Sequence, residues 1–255
     1  MARLRRLLFL SAAVAAVAAI AAVWLAPATL VAAHVVQMTG GMLRLDRAEG
    51  TVWRASGILV AGAAAIPVAW RVEPWPLLRG EVRLHVRPDA DASAGSPRAD
   101  IAIVGERVAV RDAEISFPAS VFAALSGTAV AWAAGGEVNV SADAVDWAPP
   151  ANHGAVRVLW RGARLSLPAV NASVDLGDMT MALAADGDRL SGPVSNDGGD
   201  LAVRGEITLR ASDAVQVSLT LAPRRADDVR LNRVLAAIAT ADGSGWRLGW
   251  RVPLR

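Results

Sequence analysis

The sequence predicts a mainly β protein: an N-terminal single transmembrane helix, then a large antiparallel, curved or two-layer β-sheet domain with one or two short helices. Three observations carry this. Leu7 to Ala26 is a run of twenty residues without a charge. From Met42 onward, apolar and polar residues alternate with period two almost everywhere, the pattern of strands with one buried face. Asp-Gly pairs and Pro-rich stretches punctuate the alternation, as turns require.

The N-terminal run follows Arg3, Arg5 and Arg6. At 1.5 Å per residue it reaches about 30 Å, the thickness of a bilayer core. Its Leu, Ile, Phe and Val residues favour insertion by about 3 to 5 kcal/mol at most. Arginine on the short side holds that side in the cytoplasm. A cleaved signal peptide is the competing reading, but its apolar core is typically only about 7 to 15 residues, so a retained anchor fits better. The expected organisation is a cytoplasmic tip at 1–6, an anchor at 7–26, a linker at 27–41 and a β-rich domain at 42–255.

Tryptophans mark several strands. Gly50-Thr51-Val52-Trp53 precedes Val68-Ala69-Trp70-Arg71-Val72, where Ile66, Val68, Trp70 and Val72 share one side and Arg71 and Glu73 the other. The pattern returns at Val158-Leu159-Trp160-Arg161-Gly162 and around Trp246 and Trp250. A large ring so placed is a packing anchor that buries about 200 Å², so Trp53 and Trp70 read as core rather than contact residues.

Further alternation places strands at Val82/Leu84/Val86, Val138/Val140/Ala142, Val174/Leu176, Met179/Met181/Leu183, Leu201/Val203, Ile207/Leu209 and Val215/Val217/Leu219/Leu221. Asp186-Gly187, Asp197-Gly198-Gly199 and Asp242-Gly243 predict hairpin turns. Pro118 to Leu125 and Asp227 to Thr240 carry helical spacing. Pro88 to Asp100 and Trp147 to Gly154 read as long loops, with a lobe boundary near 147–154. Gly80-Glu81-Val82, Gly136-Glu137-Val138 and Gly205-Glu206-Ile207 form a weak repeat in which each triplet opens a strand. Its uneven spacing argues against a strict solenoid.

Composition removes whole classes of chemistry. The chain has no cysteine, and all 26 basic residues are arginine. There is therefore no thiolate nucleophile, Cys zinc site, Schiff-base lysine or P-loop. Beyond the anchor 23 arginines face 24 acids, interspersed without a basic stripe, which excludes nucleic acid as a partner. His34, His85 and His153 have no companion at ligand spacing and read as surface residues. Gly243-Ser244-Gly245 lacks the strand-to-helix setting of a nucleophile elbow. Asp186/Asp188 and Asp227/Asp228 read as a turn and a helix start. Asn171-Ala172-Ser173 matches a glycosylation acceptor but lies within an alternating strand. No enzyme, metal or cofactor is expected.

The basic tip, the single anchor, Gly50-Thr51-Val52-Trp53, the Trp70 strand with Pro74-Trp75-Pro76-Leu77-Leu78, and Leu159-Trp160-Arg161-Gly162 resemble type II secretion system protein N, also called general secretion pathway protein N. So do Leu190-Ser191-Gly192-Pro193, Asn196-Asp197-Gly198-Gly199, Val203-Arg204-Gly205 and the closing strand with Trp246 and Trp250. Residues Gly50, Thr51, Trp53, Trp70, Trp160, Gly198, Gly199 and Gly205 carry the resemblance and are expected to be structural. One departure stands out: the family often has Gly two residues after the first Trp, where this chain has Ala55, then Ser56-Gly57.

The resemblance implies a single-pass protein of the bacterial inner membrane with its C-terminal domain in the periplasm. It would be a non-enzymatic accessory of the machine that exports folded proteins through an outer-membrane secretin, with inner-membrane platform proteins or the secretin as partners. The alternative is a periplasmic lipid-handling protein like the AsmA type, in which an apolar β-groove takes a lipid ligand. Against this alternative stands length, since the β-rich domain at 42–255, about 215 residues, falls short of a bridge across the periplasm.

Overall fold

The alternating segments pair in chain order. The structure, a computed structural model, describes residues 24–253 apart from 63, 89–96, 122–132, 149–150, 168–171, 211–213, 226 and 244. The first strands are β1 (Leu43–Thr51), β2 (Arg54–Ala61), β3 (Ala64–Glu73), β4 (Glu81–Arg87), β5 (Arg98–Val104) and β6 (Arg107–Pro118). Next come β7 (Ala133–Trp147), β8 (Asn152–Leu167), β9 (Ala172–Gly187), β10 (Arg189–Asp197), β11 (Leu201–Arg210) and β12 (Ala214–Pro223). β13 (Thr240–Asp242) and β14 (Gly245–Pro253) close the chain. Together they make one 14-stranded antiparallel sheet, each strand beside its predecessor until β12, which pairs with β14 and leaves β13 on the edge. Three helices are described: α1 (Thr29–Met38), α2 (Pro74–Leu77) and α3 (Val229–Ile238).

Register explains why the sheet has one apolar face. In the second half, Val140, Val158, Met181, Val194, Gly205, Leu219 and Leu248 stand opposite one another in a single row across β7 to β12 and β14. In the first half Val72, Leu84, Ile101, Val110 and Val145 form the equivalent row. Slips in the alternation would turn side chains to the wrong face, and two of them show how this is avoided. The inward set passes from Val108 and Val110 to Ala113, Ile115 and Phe117 at Asp112, whose φ is +49°. On β9 it passes from Leu176 to Met179 at Gly177. Such bulges keep the apolar set together and bend the strand.

The bent sheet closes on two cores. The larger gathers Val138, Trp160, Val194, Val203 and Leu221 around Leu231, Val234 and Leu235 of α3. That helix starts where the Asp228 carboxylate accepts from the Leu231 N–H, 2.9 Å away, the capping that a short helix needs. In the smaller core Val121 meets Ala61 and Ala64 of the β2–β3 hairpin, with Phe117 packed against them. Across β2 to β5 the apolar face is only half-buried: Leu59, Ile66, Val82, Leu84, Ile101 and Ile103 all keep part of their surface exposed.

Several expectations change. Gly136-Glu137-Val138 and Gly205-Glu206-Ile207 lie inside β7 and β11 rather than opening strands. Only Gly80-Glu81-Val82 leads into one. The Pro-rich loops are shorter than predicted, because β5 begins at Arg98, β7 runs to Trp147 and β8 begins at Asn152. Pro118 ends β6 instead of starting a helix; Ser120 and Val121 are helical and residues 122–125 lie outside the described set. Residues 27–41 carry α1. The expected anchor lies mostly outside the described residues, and among those described no helix is long and apolar enough to cross a membrane.

Candidate functional site

The N-terminal tryptophan motif is a knot of backbone contacts at one end of β1 to β3. At Gly50 φ is +105°, and a Cβ there would stand 2.5 Å from the Arg54 carbonyl oxygen, so only glycine fits. Thr51 Oγ1 accepts from the Arg54 N–H at 3.4 Å. The Val52 N–H donates to the Ala26 carbonyl at 2.9 Å, and the Val72 N–H to the Trp53 carbonyl at 2.7 Å. The Trp70 indole N–H donates to the Val52 carbonyl at 3.1 Å. Ala55 is buried opposite both Gly50 and Trp70, so the small residue the family pattern asks for is retained in size if not in kind.

The remaining motif residues lie in the other half of the sheet. Trp160 is buried on β8, and its indole N–H donates to the Gly135 carbonyl at 2.9 Å. Gly198 and Gly199 form the β10–β11 turn beside Leu176 and Gly177. Gly205 lies mid-strand on β11, where a Cβ would run into Ser218 and Leu219 of β12. Gly50, Thr51, Trp53 and Trp70 are thus brought together, while Trp160 sits in the larger core, Gly198 and Gly199 in an exposed turn and Gly205 at a close strand approach.

The sequence reading missed Asn196, the hub of that turn. Its amide N–H₂ donates to the carbonyls of Leu176 at 2.5 Å and Leu201 at 2.8 Å, and its oxygen accepts from the Val203 N–H at 2.7 Å. Its place before Asp-Gly-Gly was visible, but the three partners come from strands that only the fold joins.

It also missed a charged row on the polar face. His85 on β4 has Asp100 Oδ1 2.7 Å from Nδ1 and Glu73 Oε1 2.8 Å from Nε2. Both ring nitrogens must donate to satisfy both carboxylates, which only the imidazolium can do. The hydrogen bonds that the ring donates to Asp100 and then Glu73 accordingly raise the His85 pKa above its ordinary value. His85 in turn holds the Asp100 carboxyl below its usual range, with Arg87 adding to the effect. Arg87 also pairs with Asp100 at 2.6 Å, and Arg83 with Glu81 at 2.6 Å. A cavity of about 860 Å³ opens on this face, lined by Arg54, Ser56, Arg71, Glu73, His85 and Arg87 among others.

With both nitrogens engaged, His85 is held as an ion-pair centre and not as a free base. The two carboxylates lie on opposite sides of its ring and do not converge on a cation. Among the described residues no group of three or more His, Asp or Glu stands close enough to hold a metal ion. What the arrangement offers is recognition: an apolar face, a charged face and strand edges.

Searches of curated proteins and of solved structures each return no match. The family described as type II secretion system (T2SS), protein N, matches residues 42–248, a stretch that begins just before β1 and ends within β14. Covering nearly the whole sheet, the match shows that the chain belongs to the type II secretion system protein N family.

Proposed function

We propose that this protein is a non-enzymatic accessory of the type II secretion machine, anchored in the bacterial inner membrane by residues 7–26 with its sheet in the periplasm. In this role it assists export of folded proteins across the outer membrane by contacting other secretion subunits, either inner-membrane platform proteins or the secretin. The family match over residues 42–248 carries this reading. Physical support comes from the sheet, which ends in β1 on one side and the three-residue β13 on the other. Backbone groups at such edges suit strand-addition contacts.

A second reading, lipid handling, is favoured by one observation: the apolar face is half-buried across β2 to β5, away from the α3 plug. A groove there would suit an acyl chain.

In-cell photo-crosslinking from Leu59, Val217 and Leu219, with mass spectrometry of the adducts, separates the two. Adducts to secretion subunits, with lost export when the chain is deleted, are expected. Phospholipid adducts alone, with export intact, would replace the assembly role by lipid handling.

A further inference from the structure

One end of the first four strands gathers exposed apolar and cationic side chains. Register brings them together: Pro27 bridges to Thr51, Thr51 pairs with Arg54, Arg54 with Arg71, and Glu73 with Arg83. α2 follows β3 directly at this end. It presents Trp75, 72% exposed, and the residue after it is Leu78, 82% exposed. Leu25 is 73% exposed, and the Trp24 ring lies 5.9 Å from that of Trp53. Large apolar side chains so exposed and so clustered mark a contact surface.

The charges here are arranged for an anionic partner. Arg54, Arg71 and Arg79 are exposed and have no carboxylate within ion-pair distance among the described residues. The neighbouring acids are engaged: Glu81 by Arg83, Glu73 by His85, and Asp100 by His85 and Arg87. Glu49, opposite Ser56, sets one further negative charge against three free guanidinium groups. Arg54 and Arg71 are direct cross-strand neighbours, with Cβ atoms about 5 Å apart. A like-charged pair so close favours binding of an anion between them.

The chain leaves no slack between this end and the apolar run. Ala26 accepts from Val52, and Ala28 donates to Gly50 at 3.1 Å. The last three residues of the run, Trp24 to Ala26, are thus pinned to the β1–β2 turn. If residues 7–26 span a bilayer, residue 26 emerges at headgroup level and holds the β1–β2 turn there with it.

We propose that this end of the sheet rests on the bilayer surface. Trp75 and Leu78 enter the interfacial layer, and Arg54, Arg71 and Arg79 hold lipid phosphates. The inference rests on the membrane-anchored reading above and adds an orientation to it. Tryptophan favours headgroup depth, and guanidinium binds phosphate bidentately.

The chain has no cysteine, so single substitutions give unique labelling sites in the full-length protein. Spin labels at Val14→Cys, Leu78→Cys and Thr180→Cys would be read in vesicles of phosphatidylethanolamine and phosphatidylglycerol. Collision with oxygen reports lipid, and collision with a water-soluble nickel chelate reports solvent. Oxygen-favoured labels at 14 and 78 with a solvent-favoured label at 180 are expected. A label at 78 as water-accessible as that at 180 would overturn the proposal and assign the patch to a protein partner. A water-accessible label at 14 would overturn the anchor alone, because the label at 78 is read independently. Combining Leu78→Cys with Arg54→Gln, Arg71→Gln and Arg79→Gln should raise nickel accessibility at 78 by about fivefold or more, the worth of one basic residue at an anionic surface. No change on that substitution would overturn the phosphate contacts.

Discussion

The indole N–H of Trp70 on β3 donates to the carbonyl oxygen of Val52 in the β1–β2 turn, 3.1 Å away. Trp160 on β8 does the same toward Gly135 on β7, at 2.9 Å. In both halves of the sheet a tryptophan on the apolar face thus fixes irregular backbone next to it as well as filling space. The two sites differ in depth: Trp160 is 7% exposed, whereas Trp70 is half-buried.

That difference sets the first expectation. Trp160→Phe leaves the Gly135 carbonyl without its donor in a dry site, a loss of about 1–3 kcal/mol. Trp70→Phe lets water replace the indole and costs about 0.5–1.5 kcal/mol. Urea unfolding of the two variants checks this, and a larger loss at Trp70 would contradict the burial argument.

Gly205 and Gly249 give a matched pair. A Cβ at Gly205 overlaps the Ser218 carbonyl oxygen and Leu219, whereas one at Gly249 meets nothing within 4 Å. Gly205→Ala is expected to destabilise by about 1–3 kcal/mol as β11 and β12 move apart. Gly249→Ala should lie within about 0.5 kcal/mol of the parent. Comparable melting shifts for the two would show that strand spacing at Gly205 does not matter.

Three of the backbone hydrogen bonds of Asn196 are 2.8 Å or shorter. Asn196→Ala leaves the Val203 N–H and two carbonyls to find other partners, at about 2–3 kcal/mol. Asn196→Asp keeps the acceptor for Val203 but turns a carboxylate toward the Leu176 and Leu201 carbonyls, so it should not rescue. Full rescue by aspartate would mean that the bond to Val203 alone holds the turn.

The strands were legible because alternation is a local property: Val138, Val140 and Ala142 face inward as their spacing dictates. The turn at Asp242-Gly243 was legible for the same reason, since glycine chemistry acts within the turn itself. Strand ends in Pro-rich stretches were not, because Arg98 and Asn152 extend their strands by pairing with Glu114 and Gly187 on strands that follow in the chain. The motif residues Gly50 and Trp70 were picked out in sequence, but the bond from Trp70 to Val52 needs the β2–β3 register. The His85 cluster was hidden for the same reason. Glu73 and Asp100 lie 12 and 15 residues away, and only the sheet sets them on either side of one ring.

That cluster makes folding pH-dependent in a defined direction. His85 has a folded pKa above its unfolded value of about 6.5. Its contribution is therefore fully present below about pH 6.5 and is lost as pH rises through the raised folded value. Asp100 has a lowered folded pKa, so its contribution is present above about pH 4 and is lost as pH falls through the folded value. Both are in place between about pH 4 and pH 6.5. His85→Gln keeps one hydrogen bond but no charge, so the parent should exceed it in stability most at about pH 5 to 6, with the gap closing toward about pH 9. The side chains are 29% to 39% exposed, and solvent screening limits the gap to under about 1 kcal/mol. Unfolding midpoints of both proteins across this range measure it, and a gap that stays constant from about pH 5 to 9 would show that the imidazolium does not hold Glu73 and Asp100 together.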